Sequence, residues 1–143
     1  PGKGAAGYSR ATPPEKLFHQ KQELLSHIAV ALIGREAEML LLGPDNVTNG
    51  AANDIEKAAM LAQRMVCEWG MLPGSEEAYL FSQPQKDAAA QRWLQLGQQL
   101  AAGLLSSYRP QWEQLTRLLL EKEVLVESDV RGCLLPKGES AAC

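Results

Sequence analysis

The sequence predicts a mainly α-helical domain with at most one short strand, at an edge of the fold near the N-terminus. Apolar residues recur every three or four positions within residues 15–42, 53–69 and 84–120, and this period is typical of helices that bury one face. The chain has 143 residues, of which 45% are apolar and 22% charged. This length and composition fit one globular domain with a modest core.

The charge of the chain argues against one class of partner. The formal net charge is −3 and the isoelectric point is near 5.4, whereas proteins that bind phosphate backbones usually present a basic face. We therefore expect no nucleic-acid partner. No apolar run approaches the roughly 20 residues needed to cross a bilayer, so we also expect these residues to form a soluble domain.

The first predicted helix follows a glycine- and proline-rich start. Residues 1–14 are expected to be extended or loose, and a helix is predicted over residues 15–42, closed by the turn residues 43–46. Its apolar positions at four-residue spacing are Leu24, Ile28 and Leu32. Gly34 costs this helix about 1 kcal/mol relative to alanine, so we expect it to pack closely against another element.

The second predicted helix begins with a polar loop and ends at a glycine. Asn53 is the predicted N-cap, with Glu56 three residues later, and Gly70 suits the left-handed conformation that ends many helices. Asp54 then lies in the first turn, beside unpaired backbone N–H groups. A carboxylate there most often only stabilises the helix end. The predicted buried stripe consists of Ile55, Ala58, Ala59, Ala62, Met65, Val66 and Trp69.

The C-terminal part predicts a helical hairpin. A helix of about 22 residues is expected to start at Pro84, and Pro110 separates it from a second amphipathic helix. Two such helices joined at a proline should pack as an antiparallel pair. Ser128 is expected to cap a short final helix. Residues 136–143 are small and polar, and we expect them to be a disordered tail.

Few other residues suggest chemistry. His19 and His27 are eight positions apart, which on a helix is about 12 Å, too far for one zinc ion. Arg35 and Glu38 are three apart and are expected to form a structural ion pair. The three cysteines lack C-x-x-C spacing, and Cys67 is expected to be a partly buried, inert thiol. No serine or cysteine nucleophile with an adjacent base is recognisable.

Residues 48–71 contain the most specific pattern in the chain. They read T-x-G-A-x-N-D-I-x-x-A, followed by R-M-V and W-G-M, and this combination resembles the protease domain of FtsH-type membrane-anchored AAA+ zinc metalloproteases. Residues 23–43 and 118–125 also resemble segments of that family. The resemblance implies an FtsH-like helical peptidase domain over residues 1–135 that lacks the H-E-x-x-H segment.

The resemblance also implies two kinds of site residue. In that family the aspartate of the N-D pair is the third zinc ligand, so Asp54 is the implied metal ligand. The N-terminal P-G-K-G-A-A-G-Y resembles the family's edge strand, on which substrate polypeptide pairs by β-augmentation. The implied substrate-binding residues are Gly4, Ala5, Ala6, Gly7 and Tyr8. Composition alone instead favours a disordered N-terminal tail there.

The family's activity is ATP-dependent zinc metalloendopeptidase action on unfolded or membrane proteins, carried out by a hexamer. The resemblance places ATP on an AAA+ domain outside this sequence, because no Walker loop occurs here. It places the domain on the cytoplasmic, matrix or stromal side of a membrane-anchored parent. H-E-x-x-H, which supplies two zinc ligands and the base, is missing here and lies upstream in the family. We therefore expect zinc in a complete parent, and neither cofactor nor activity for this chain alone.

A non-catalytic FtsH-like scaffold that serves protein binding or assembly is the alternative. Departures from the family's pattern motivate it: Ile33 replaces the first of two glycines, Glu36 replaces an alanine, and Met39 replaces an acid. Glutamines also stand where acidic residues and lysines are usual, namely Gln85, Gln91, Gln95, Gln98 and Gln99.

Overall fold

The computed structural model describes residues 18–75, 80–122 and 127–134, and these residues form a helical fold as predicted. The helices in chain order are α1 (Lys21–Leu42), α2 (Ala52–Cys67), α3 (Gln83–Ser107), α4 (Arg109–Lys122) and α5 (Glu127–Leu134). Two short 3-10 turns, Pro44–Asn46 and Asn49–Ala51, connect α1 to α2. The predicted edge strand and the predicted tail lie outside the described residues.

Helix α1 begins at Lys21, several residues later than the periodicity predicts. Gln20 is extended, with φ −86° and ψ 152°, and its backbone N–H donates to Glu23 Oε2 at 3.3 Å. This bond satisfies an N–H group that the helix cannot pair internally. At the other end Gly43, with φ 81°, terminates α1 as its turn chemistry predicts.

The core lies between α1, α2 and α3, each of which contacts the other two. Side chains from all three helices form one buried cluster, joined by Leu72 from the loop after α2. The buried residues of this cluster are Leu24, Ile28, Ala58, Ala62, Met65, Val66, Leu72, Ala89, Ala90 and Trp93. Trp93 Nε1 donates to the carbonyl oxygen of Met71 at 2.9 Å, so a buried polar group is satisfied and the loop is tied to α3.

The predicted stripe on α2 is largely correct. Four of its seven members are buried, namely Ala58, Ala62, Met65 and Val66. Ile55 and Ala59 are half-buried, and Trp69 is 39% exposed. Trp69 lies beyond the end of α2, and the Arg64 guanidinium covers its ring at 4.9 Å from the centroid. Gly70 has φ 62°, which confirms the left-handed residue predicted after this helix.

Helices α1 and α3 are in close contact at Gly97, whereas Gly34 makes no such contact. A Cβ atom on Gly97 would overlap Ile28 Cγ2 and would lie 3.5 Å from the backbone nitrogen of Ala29. Gly34 is exposed, and a Cβ atom there would meet nothing within 4 Å. The prediction that Gly34 packs closely is therefore wrong, because the α1 face in contact with α3 is the one that carries Ile28.

The helical pairing at the C-terminal end involves α4 and α5 more than α3 and α4, the two helices that the sequence predicts as a hairpin. Tyr108, with φ −110° and ψ 23°, separates α3 from α4. Trp112 Nε1 donates to the Leu105 carbonyl oxygen at 2.8 Å across this junction. Helix α4 contacts α5 more extensively than it contacts α3, so the helical pairing at the C-terminal end is mainly between α4 and α5. Helix α5 begins at Glu127, and Ser128 therefore lies inside it.

Within the described part of the chain, no helix combines the length and the apolar character required to span a bilayer.

Replacing Gly97 with alanine should destabilise the fold. The new methyl group must displace Ile28, which is fully buried, and overpacking of a core typically costs about 1–3 kcal/mol. Urea unfolding followed by circular dichroism measures this as a loss of unfolding free energy. Gly103→Ala is the matched control on the same helix: its Cβ atom meets nothing within 4 Å, so it should be neutral or stabilising by up to about 1 kcal/mol. Equal effects of the two substitutions would contradict the assigned contact.

Candidate functional site

The start of α2 is built by a 3-10 turn that runs directly into the helix. The turn Asn49–Ala51 is capped by Thr48, whose hydroxyl oxygen accepts the Gly50 backbone N–H at 3.1 Å. Helix α2 then begins at Ala52, so Asn53 is its second residue. The prediction of Asn53 as N-cap is wrong, because the capping side chain precedes the 3-10 turn and not the α-helix.

Asp54 is the third residue of α2 and is exposed. As predicted, it lies in the first turn, where backbone N–H groups and the positive end of the helix dipole favour a negative charge. Within the described part of the chain its carboxylate makes no hydrogen bond and no ion pair. Both oxygens are therefore free to accept a cation or a hydrogen-bond donor.

The loop that leads to Asp54 is held by two side chains of α1, in what we call the Thr48 clamp: Arg35, Glu38 and Thr48. The Glu38 carboxylate accepts both the hydroxyl of Thr48 and its backbone N–H, the latter at 3.1 Å. Arg35 Nη2 donates to the Thr48 carbonyl oxygen at 2.8 Å. One residue thus has its amide, its hydroxyl and its carbonyl bound by α1, and this fixes the loop relative to the core.

The predicted ion pair between Arg35 and Glu38 is present, with 3.8 Å between Arg35 Nε and Glu38 Oε2. It is long, and Arg35 Nε makes no hydrogen bond within the described residues. The stronger contacts of both side chains are with Thr48. Residues ten or more positions apart give no periodic signal, so sequence spacing predicted the ion pair but not the loop that both residues hold.

The Thr48 clamp changes the titration of Glu38. The pKa of its carboxyl is lowered from an ordinary value of 4.5, chiefly because the ionised form accepts the Thr48 hydroxyl and then the Thr48 backbone N–H. Partial desolvation opposes this shift, and the positive charge of Arg35 adds to it. The clamp therefore favours a charged Glu38 at neutral pH.

The described residues do not by themselves form a metal centre. No group of three or more His, Cys, Asp or Glu side chains in residues 18–75, 80–122 and 127–134 is arranged to hold a metal ion. His19 and His27 are exposed, and His19 Nδ1 lies 3.6 Å from Glu23 Oε2. Asp54 is thus at most one ligand among several.

Two further predicted features can be placed. Cys67 is exposed and Cys133 is buried, so the prediction of a partly buried Cys67 is wrong. Cys67 is the last residue of α2, where the core no longer covers it. The predicted substrate-binding residues, Gly4, Ala5, Ala6, Gly7 and Tyr8, lie outside the described residues.

Comparison with known proteins identifies the family. The model of peptidase family M41 matches residues 1–86, which include the whole of α1, the Thr48 clamp and α2 with Asp54. The chain belongs to peptidase family M41. The resemblance seen in the pattern around the N-D pair is therefore confirmed.

Several curated members of this family are similar to the chain. An ATP-dependent zinc metalloprotease FtsH 1 of Alkaliphilus metalliredigens is 45% identical over 69 residues, which cover 48% of this chain and 12% of that protein. FtsH of Thermus thermophilus is 34% identical over 143 residues, covering 87% of this chain and 23% of that protein. FTSH 11 of Arabidopsis thaliana, a chloroplastic or mitochondrial protein, is 34% identical over 125 residues, which cover 83% of this chain and 16% of that protein. The chain thus spans less than a quarter of the length of these relatives.

The Thr48 clamp should make stability depend on pH through Glu38. Because the folded-state pKa of Glu38 is lowered, its contribution to stability is full above pH 4.5 and is lost as the pH falls below that value. Glu38→Gln should therefore lower the melting temperature at pH 7, and the difference from the unsubstituted chain should shrink below pH 4.5. Thermal melts from pH 3 to 7 measure this difference.

The control for this pH dependence is Glu121→Gln on α4, an exposed glutamate without a partner in the described residues. It should not change the melting temperature at pH 7. A difference between the unsubstituted chain and Glu38→Gln that stays constant down to pH 3 would show that the Glu38 carboxylate does not hold the loop.

Proposed function

We propose that this chain is the part of an ATP-dependent zinc metalloendopeptidase domain that supplies Asp54 as one of three zinc ligands. The observation that supports this most directly is that an M41 chain presents an unpaired carboxylate in the first turn of α2, directly after a loop that α1 holds in place. Carboxylate oxygen is an accepted zinc ligand. The other two ligands and the general base would come from an H-E-x-x-H motif elsewhere in a longer protein.

The chemistry of Asp54 fits this role. Its two oxygens have no described partner, so no existing bond must break before a cation binds. The Thr48 clamp limits the movement of the loop, and ligands held in place by such outer contacts bind metals more tightly. When bound, a catalytic zinc ion polarises carbonyl oxygens and lowers the pKa of water. The residues of this chain would orient one ligand for it.

The proposed substrates are unfolded or membrane-extracted polypeptides. The segment with Gly4, Ala5, Ala6, Gly7 and Tyr8 would pair with an extended substrate through backbone hydrogen bonds, which depend little on side-chain identity. Such pairing suits an enzyme that acts on many sequences. The two FtsH relatives and FTSH 11 are named as ATP-dependent zinc metalloproteases, and this agrees with the proposed reaction.

The proposed parent is a membrane-anchored protein that acts as a hexamer, with ATP bound on a separate AAA+ domain. The present domain would lie on the cytoplasmic side of the membrane, or on the matrix or stromal side in an organelle. Residues 1–135 would form the peptidase part, and 136–143 would follow it as a disordered tail.

Removing the Asp54 carboxylate should remove zinc from a full-length parent. Replacement by alanine takes away one of three protein ligands, so we expect zinc affinity to fall at least about 100-fold and protease activity to fall with it. Zinc content is measured by inductively coupled plasma mass spectrometry after dialysis. The matched control is Glu56→Ala, an exposed acid two residues later on the same helix, which should retain stoichiometric zinc. Full zinc occupancy in Asp54→Ala would remove Asp54 from the site.

The 143 residues alone should not cleave protein. Without H-E-x-x-H they lack two zinc ligands and the base, so fluorescent casein incubated with the purified chain and zinc should release no label above the buffer rate. Cleavage that a zinc chelator abolishes would contradict this expectation. If the gene encodes no H-E-x-x-H upstream of Pro1, the alternative of a non-catalytic scaffold for binding or assembly replaces the enzymatic proposal.

A further inference from the structure

The loop before α2 contains an asparagine that is followed by a glycine. Of the three asparagines in the sequence, Asn46 and Asn53 precede valine and aspartate, and Asn49 precedes Gly50. Asn49 and Gly50 are both exposed, and the Asn49 side chain makes no hydrogen bond within the described residues. Asparagine is thermally labile, and it loses its side-chain amide most readily before glycine, because glycine has no Cβ atom to shield its backbone nitrogen. This pair is therefore a candidate modification site.

The loss of this amide consumes only water. The Gly50 backbone nitrogen gives up its proton to solvent and attacks Asn49 Cγ, so that a C–N bond forms. The bond from Cγ to Nδ2 breaks, and the departing nitrogen takes a proton from solvent and leaves as ammonia. One water molecule then opens the resulting succinimide ring. Opening at Cγ gives aspartate, whereas opening at the Asn49 backbone carbonyl gives isoaspartate, whose main chain is longer by one methylene group.

The Thr48 clamp engages the nitrogen that would attack. The Gly50 N–H donates to Thr48 Oγ1 at 3.1 Å, and the Thr48 hydroxyl donates in turn to Glu38. The Asn49 carbonyl oxygen accepts the N–H of Ala52, which fixes the other end of the 3-10 turn. A Cβ atom on Gly50 would lie 3.2 Å from Thr48 Oγ1, so the clamp leaves little room for a residue other than glycine. The same close contact therefore creates the labile pair and restrains it.

We propose that Asn49 is a site of spontaneous deamidation whose rate is set by the Thr48 clamp. In the folded chain the reaction proceeds only after the Asn49–Ala51 turn opens, so its rate is the rate of the open loop multiplied by the fraction of molecules that are open. The product has an additional negative charge, and isoaspartate cannot restore the original turn because its backbone is longer. The proposal involves neither zinc nor Asp54 and is independent of the proposed peptidase function.

The test compares the folded 143-residue chain with an unfolded peptide of residues 45–52. Both are incubated in mildly alkaline buffer, and deamidation is followed over time by tandem mass spectrometry, which for the chain uses the tryptic peptide of residues 36–57. This tryptic peptide contains all three asparagines, so Asn46 and Asn53 are internal controls. We expect Asn49 to react at least about tenfold more slowly in the chain than in the peptide, and faster than the two controls in both.

Thr48→Val removes the acceptor of the Gly50 N–H and preserves the shape of the side chain. It should accelerate the reaction of Asn49 in the folded chain at least about threefold, whereas the same substitution in the peptide should leave the rate unchanged. The matched control is Thr116→Val, another exposed threonine, whose hydroxyl donates to a carbonyl oxygen within α4. It should not change the rate at Asn49. If circular dichroism shows that Thr48→Val is unfolded, Glu38→Gln replaces it, with acceleration again expected.

Several results would overturn the proposal. Equal rates at Asn49 in the chain and in the peptide would show that the fold gives no protection. A chain that loses the amide of Asn46 or Asn53 before that of Asn49 would remove Asn49 as the preferred site. A rate in folded Thr48→Val no higher than in the unsubstituted chain would show that the Thr48 clamp does not control the reaction.

Discussion

The close approach of α1 to α3 is the contact on which the rest of the fold depends. Gly97 has no side chain, so Ile28 can pack directly against the backbone of α3 and become fully buried. Because α1 also contacts α2, this approach brings three apolar faces together around Met65 and Trp93. Helix α1 therefore serves both as a core element and as the platform for the loop that follows it.

The C-terminal half of α1 holds the loop that precedes the candidate ligand, Asp54. Two of its side chains bind three groups of Thr48, and Thr48 caps the turn that leads into α2. The exposed Asp54 thus lies in the first turn of a helix whose preceding loop is fixed to the core, although its carboxylate has no partner within the described residues. A side chain that must bind an ion needs such support from neighbours while its own oxygens remain free. An unpaired carboxylate supported in this way is consistent with the membership of the chain in peptidase family M41.

Most of the helical fold could be predicted from the sequence, because apolar spacing reports directly which face of each helix is buried. The α2 stripe was predicted from this spacing and the left-handed Gly70 from the conformational freedom of glycine, whereas the pattern around Asp54 was identified by its resemblance to the family. The packing partners were not readable. Gly34 and Gly97 are each a single glycine inside a helical pattern, so the sequence does not distinguish them. Only the packing of α1 against α3 determines that Gly97, and not Gly34, lies at the contact between these two helices. The Thr48 clamp joins residues ten or more positions apart, and no local pattern encodes a hydrogen bond that exists only after two segments have packed together.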